Sequence, residues 1–298
     1  SVYKKYKDLY KENAKAYPHF ARLLTNKMTQ FNLIDEYIPQ GVCNVFNNTI
    51  MSCYDGNKEN SNNSMLMVID SLGNTKNLYL SDENGDKLTS HVGGIAYDDI
   101  NNLLWVTGSD GKIYSFNYND IARATSDSYI TPINCTSLDI TNESGSKVAS
   151  YMTYFEGKLY VGSFNENEKG IVKEYHIGDN GSTLSEQSVF TVPRKTQGIS
   201  FYKDVSNQVY MACACSYGRK NSSYLHIYGI NDGSFDEKKV FQLPPMIEQV
   251  TFDKDGLLQC VFESGAKAYN LEGYDAKKEN SIVELQTVVN LDIFNNIS

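Results

Sequence analysis

Four short stretches repeat one order of residue types: PQGVCNVFN at 39–47, HVGGIAYDD at 91–99, TQGISFYKD at 196–204 and EQVTFDKDG at 248–256. Their heads supply Gln40, His91, Gln197 and Gln249, with Glu248 beside the last. Amides both donate and accept hydrogen bonds, and an imidazole titrates near neutral pH. Such a set suits recognition of a small polar ligand. It also offers Glu248 and His91 to a divalent metal, although a firm metal site wants more carboxylate, imidazole or thiolate ligands than these. A second recurrence lies in SCYDGNKENSNNSM at 52–65, GSFNENEKGI at 162–171 and SYGRKNSSYL at 216–225. It contributes Tyr54, Asp55, Phe164, Asn165, Tyr217 and Arg219, a polar and aromatic set. Arg219 is the arginine of this group, open either to a carboxylate such as Asp55 or to an anion. No G-x-S-x-G elbow, H-E-x-x-H pair, Walker loop or dinucleotide fingerprint accompanies these residues.

The elements that must position them are strands. From residue 39 the chain alternates apolar and polar residues in short runs, such as TIMSCYD, NLLWVTG, GKLYVGSF and NQVYMACACSY. Turn signals at Asp110-Gly111, Glu156-Gly157, Asp232-Gly233 and Asp255-Gly256 separate many of them. Gly41, Gly94, Gly198 and Val250 head equivalent strands, with Ser150 heading a less regular one, at intervals of about 50 residues. Three or four short strands cannot bury both faces alone, and radial stacking around an axis solves that problem. The expectation is an all-β chain forming a five-bladed β-propeller. A sixth blade would need the long region 118–146 to be split or the N-terminus to be recruited. In such a fold the first strand of each blade lines the central channel. The heads of those strands then converge at one channel mouth, beside the ends of the returning second strands. Glycines there allow backbones to approach where space is least.

Residues 1–34 read differently. Tyr3, Tyr6, Tyr10, Ala14 and Tyr17, then Phe20, Leu23, Leu24, Met28 and Phe31 after Pro18, recur near helical spacing. The expectation is two short amphipathic helices within a segment 1–38 that braces the propeller domain of 39–298. Trp105 is expected between blades. Cys43 and Cys53 flank a hairpin and are candidates to pair across it; the alternative is six buried thiols. A net charge of -9 argues against a nucleic-acid surface, and no apolar run reaches the length of a membrane span. The expectation is a secreted binding or scaffold propeller that recognises a small molecule, glycan or peptide at the channel mouth; a protein-interaction platform around an inert, hydrated channel is the other reading. The start at Ser1-Val2-Tyr3 fits removal of an export signal and fits equally a trimmed chain.

The pattern PQG, SCYD, NSMLMVID, HVGGIAYD, LWVTG, GKLYVGSF, TQGISF and SYGRKNSSYLHIY resembles a group of secreted bacterial β-propeller proteins without a settled activity. More loosely it resembles gluconolactonase-like and NHL- or YncE-like propellers. The first resemblance covers roughly 39–230, weakens over the last blade, and implies an extracytoplasmic propeller. The second implies a divalent metal in the central channel on carboxylate and asparagine ligands, serving a metal-dependent lactonase or esterase. Here the matching positions hold Gln40, His91, Gln197 and Gln249, with Glu248 alone able to replace an acid.

Overall fold

Two short helices, α1 (Lys11–Ala16) and α2 (Pro18–Leu23), lead directly into strand β1 (Leu24–Gln30) in the computed structural model, which describes residues 10–269 and 282–297. Blade one is β2 (Tyr37–Val45), β3 (Asn48–Asp55), β4 (Met65–Ile69) and β5 (Thr75–Leu80). Blade two opens with β6 (Ile95–Asp98), β7 (Leu103–Thr107) and β8 (Lys112–Asn117). The chain then forms helix α3 (Tyr118–Arg123) and strand β9 (Tyr129–Ile130), which adds in parallel to the edge of β5, before β10 (Asn134–Ser137) completes blade two. Region 118–146 therefore fills two existing blades, and the described residues form five blades without a sixth. Blade three is β11 (Tyr151–Phe155), β12 (Lys158–Ser163), β13 (Gly170–Gly178) and β14 (Thr183–Val192). Blade four is β15 (Thr196–Lys203), β16 (Val209–Cys215), β17 (Ser223–Asn231) and β18 (Ser234–Leu243). Blade five is β19 (Ile247–Phe252), β20 (Leu258–Phe262) and β21 (Thr287–Leu291), with β1 as its outer strand.

That last pairing corrects the reading of the N-terminal segment. The predicted second helix stops at Leu23. Residues from Leu24 pair antiparallel with β21, Leu24 opposite Leu291 and Gln30 opposite Thr287, so the start of the chain closes the ring. Tyr3 and Tyr6 lie outside the described residues. The helices wedge between blades four and five, where Tyr10, Tyr17, Phe20 and Leu23 join Leu225, Phe241, Ile247 and Phe262 in one apolar cluster. Each of the other interblade gaps has its own cluster. Trp105 is fully buried between blades two and three, and its indole N–H donates to Asp98 at 3.2 Å. Cys43 packs between blades one and two, whereas Cys53 packs between blades one and five. The two thiols thus face opposite sides of the sheet and stay free, as do the other four cysteines.

A polar loop recurs at the hairpin ends. Asp70, Asp82, Asn142, Asp204 and Asp253 each accept backbone N–H groups from the residues two and four further on. The residue at the third step is left-handed: Gly73, Gly85, Gly145 and Gly256, or Asn207 with φ +68°. Asn tolerates that conformation through its short polar side chain. The turn predicted at Asp255-Gly256 is therefore organised from Asp253.

Candidate functional site

The five innermost strands β2, β6, β11, β15 and β19 neighbour one another in a closed ring. Their glycines permit the close approach. A Cβ on Gly94 would lie 2.7 Å from the Met152 nitrogen, and one on Gly198 would lie 2.5 Å from the Gln249 Cα. Three of these strands carry a register break at the predicted site positions: between Pro39 and Gly41, between Thr196 and Gly198, and between Ile247 and Val250. A bulge re-aims the residue it releases from the ladder. Gln40, Gln197 and the Glu248-Gln249 pair are the released residues.

Gln40, His91, Gln197 and Glu248 line one cavity of about 570 Å³, together with Phe164, Asp110 and Lys147. This cavity brings together four of the five residues expected at the channel mouth. Gln249 does something else. It is 1% exposed, and its amide N–H groups donate to the carbonyls of Val42 at 3.0 Å and Ile95 at 2.9 Å. Its amide oxygen accepts from the backbone N–H of Met152 at 3.2 Å and of Ile95 at 3.4 Å. All four hydrogen-bonding places of the amide are filled. From blade five it ties the inner strands of blades one, two and three across the channel, and it has nothing left for a ligand.

Glu248 is 8% exposed and hydrogen-bonds the Glu263 carboxyl. Glu263 sits in the turn after β20, accepts an N–H from the Gln40 amide, and is hydrogen-bonded by Tyr269. Burial pushes both carboxyls above the ordinary 4.5, and for Glu248 the Glu263 charge raises it further. Two carboxyls this close in a dry site oppose each other's ionisation, so a proton held between them is kept to higher pH than an ordinary carboxyl would keep it. Tyr269 also hydrogen-bonds Tyr54, whose hydroxyl is pushed up to about 12 by burial and then by the Glu263 charge. The His91 ring lies flat on Tyr54, centroids 4.0 Å apart, and desolvation lowers its pKa below 6.5. His91 is thus mainly the neutral imidazole at pH 7, with its outer side exposed.

The rim residues divide. Phe164 lines the cavity and stacks on Tyr217, centroids 6.0 Å apart. Tyr54 reaches the site through His91 and Tyr269. Asp55 accepts the backbone N–H groups of Asn57 and Asn62, and so organises its own loop. Asn165 is buried, donating to the Lys169 carbonyl and accepting from the Glu143 N–H. Arg219 does not pair with Asp55; its Nη2 donates to the Tyr269 carbonyl at 3.1 Å. Glu263 and Tyr269 escaped the sequence reading. Glu263 follows the second strand of its blade, the place that Asp55, Phe164 and Tyr217 occupy near theirs, and that placement was the available signal.

The donors do not suit the divalent metal implied by the gluconolactonase resemblance. Among the described residues no three His, Cys, Asp or Glu side chains gather to hold one. The Gln40 amide turns its N–H, not its oxygen, toward Glu263, and the two carboxyls are bonded to each other. A larger depression of about 860 Å³ lies at the outer side of blades one and five, beside Met28 and Leu72. Its carboxylate, Asp70, is committed to its own loop.

No protein-family model and no curated protein matches the chain at the level of sequence. Among solved structures, one similar chain is a Bacteroides uniformis protein provisionally assigned as a 6-phosphogluconolactonase, at 11% identity and a TM-score of 0.43. The match covers 77% of this chain and 63% of that one, so this chain spans less than two thirds of its length. Another is a Thermus thermophilus protein provisionally assigned as an oxidoreductase of the glucose dehydrogenase kind, at 9% identity and a TM-score of 0.49, covering 89% of this chain and 99% of that one. Identities this low leave the activity of this chain to its own residues.

Proposed function

We propose that the chain is a ligand-binding propeller whose channel-mouth cavity holds one small polar molecule. The observation that carries this reading is the convergence of Gln40, His91, Phe164, Gln197 and Glu248, one from each blade or its lead-in, on a single cavity. Its volume lies within the usual range of small-molecule sites, about 300–1,000 Å³. Both N–H groups of Gln40 are used, on the Pro39 carbonyl and on Glu263, so Gln40 offers a ligand its carbonyl oxygen. Gln197 gives one N–H to the Ser216 carbonyl and keeps the remainder of its amide. Neutral His91 supplies one donor and one acceptor, and Phe164 an apolar face.

Calorimetric titration with a panel of monosaccharides, sugar lactones, amino alcohols and dipeptides tests this. The expected result is one-to-one binding of a panel member that weakens at least tenfold in the double variant His91→Ala/Gln197→Ala. No saturable binding across the panel, or binding untouched by those substitutions, overturns the reading.

A further inference from the structure

Among the described residues, the Glu248–Glu263 pair is a buried site of negative charge without a cation opposite. The groups acting on the two carboxyls, again among the described residues, are Gln40, Tyr269 and each other, and none of these is positive. Tyr54, with neutral His91 stacked upon it, stands near enough to feel the Glu263 charge, and Arg219 donates through Nη2 to the Tyr269 carbonyl. Buried charges are ordinarily paired. Here the unpaired charge opens on a cavity instead, because Glu248 lines the wall and Glu263 stands behind it.

Resting on the cavity reading above, we infer that the ligand of this site carries a primary ammonium group, which binds at Glu248 and Glu263 in place of the proton they share. The exchange is balanced. One protonated carboxyl and one carboxylate take up a ligand ammonium, one proton leaves to solvent, and the site keeps a charge of minus one throughout. Binding therefore adds no buried charge. An anionic ligand would meet that charge at close range in a poorly screened site, whereas a neutral one brings no positive charge to stand where the proton stood and so has nothing to exchange for it. The Phe164 ring in the wall of the same cavity favours a cation over an anion as well.

The test uses two probes of equal length, 5-aminopentan-1-ol and pentane-1,5-diol, titrated calorimetrically into the full chain at pH 7. At that pH the amine, with a lysine-like pKa of about 10.4, is charged. Running each titration in two buffers of different ionisation enthalpy counts the protons released. The expected result is at least tenfold tighter binding of the amine, with release approaching one proton per amine bound. Glu248→Gln should remove both the preference and the proton release. Glu263→Gln does the same through the other carboxyl, should the first variant fold poorly. Equal affinity for the two probes, amine binding without proton release, or an amine preference that survives both substitutions overturns the inference. If a neutral panel compound binds in a His91- and Gln197-dependent way while the amine has no advantage, the cavity reading stands and this inference alone falls. If no panel compound and neither probe binds, both fall.

Discussion

Replacing Gln249 tests whether one amide holds the ring of blades together. The side chain makes four hydrogen bonds to backbone groups of three other blades, at 2.9 to 3.4 Å, from a position 1% exposed. Gln249→Ala removes all four and leaves the carbonyls of Val42 and Ile95 and the N–H groups of Ile95 and Met152 without these partners. At about 1 kcal/mol net per bond the loss is about 4 kcal/mol. Water entering the vacated space recovers part of that, so the expected destabilisation is about 3 kcal/mol. For a chain of this size each kcal/mol lowers Tm by roughly 2–3 °C, giving a fall of about 6–9 °C. Gln249→Glu should be at least as damaging, because its oxygens face the Val42 and Ile95 carbonyls where N–H donors stood. Differential scanning calorimetry with urea melts followed by circular dichroism reads both variants. A loss below about 1 kcal/mol for Gln249→Ala would refute the assignment of this residue as a cross-channel tie.

Asp253→Ala should cost about 2–3 kcal/mol in urea melts, since Asp253 accepts the Asp255 and Leu257 N–H groups and the Asn290 amide of β21 from a buried position. Gly198→Ala should cost about 1–3 kcal/mol, read the same way, because its Cβ would sit 2.5 Å from the Gln249 Cα, and backbone cannot swing aside. The acid pair predicts a pH trend. Both carboxyls are raised above 4.5 in the folded chain, so above that pH the folded state holds a proton the unfolded state has released. Stability is then fully present below about 4.5 and is lost as pH rises through the folded pKa values. The Tm of Glu248→Gln relative to the unsubstituted chain should therefore climb as pH is raised from 4.5; a flat or falling difference would count against the shared proton.

The blades were legible because an alternating pattern returning about every 50 residues has few packing solutions. The closing strand was not. Leu24, Met28 and Phe31 satisfy a helical spacing as well as a strand, and the partner that decides between them, β21, lies near the other end of the chain. Local periodicity carries no information about so distant a pairing. In the same way, the heads of the inner strands announced Gln40, His91, Gln197 and Glu248, since repetition marks equivalent places in successive blades. What repetition does not reveal is where a released side chain ends up. Gln249 shares residue type with Gln40 and Gln197, yet it alone of the three spans the channel. Glu263 and Tyr269 lie in short turns without a motif, and their role depends on the burial that brings Glu263 to Glu248.

The bulge at 248–249 explains why neighbouring residues have opposite duties. In an unbroken strand Glu248 and Gln249 would point to opposite faces of the sheet, one into each interblade gap. The break between Ile247 and Val250 frees both from the ladder. Gln249 then crosses the channel to blades one, two and three, while Glu248 turns to the cavity and to Glu263. The amide tie and the acid pair depend on one local backbone feature, so the geometry of the site is set by the same contacts that close the ring. Gln249 is absent from the cavity wall that Glu248 helps to form, and its bonds bridge the inner strands there. In the ligand binding proposed above, the acid pair is the anchor, and the Gln249 tie holds the inner strands that carry it.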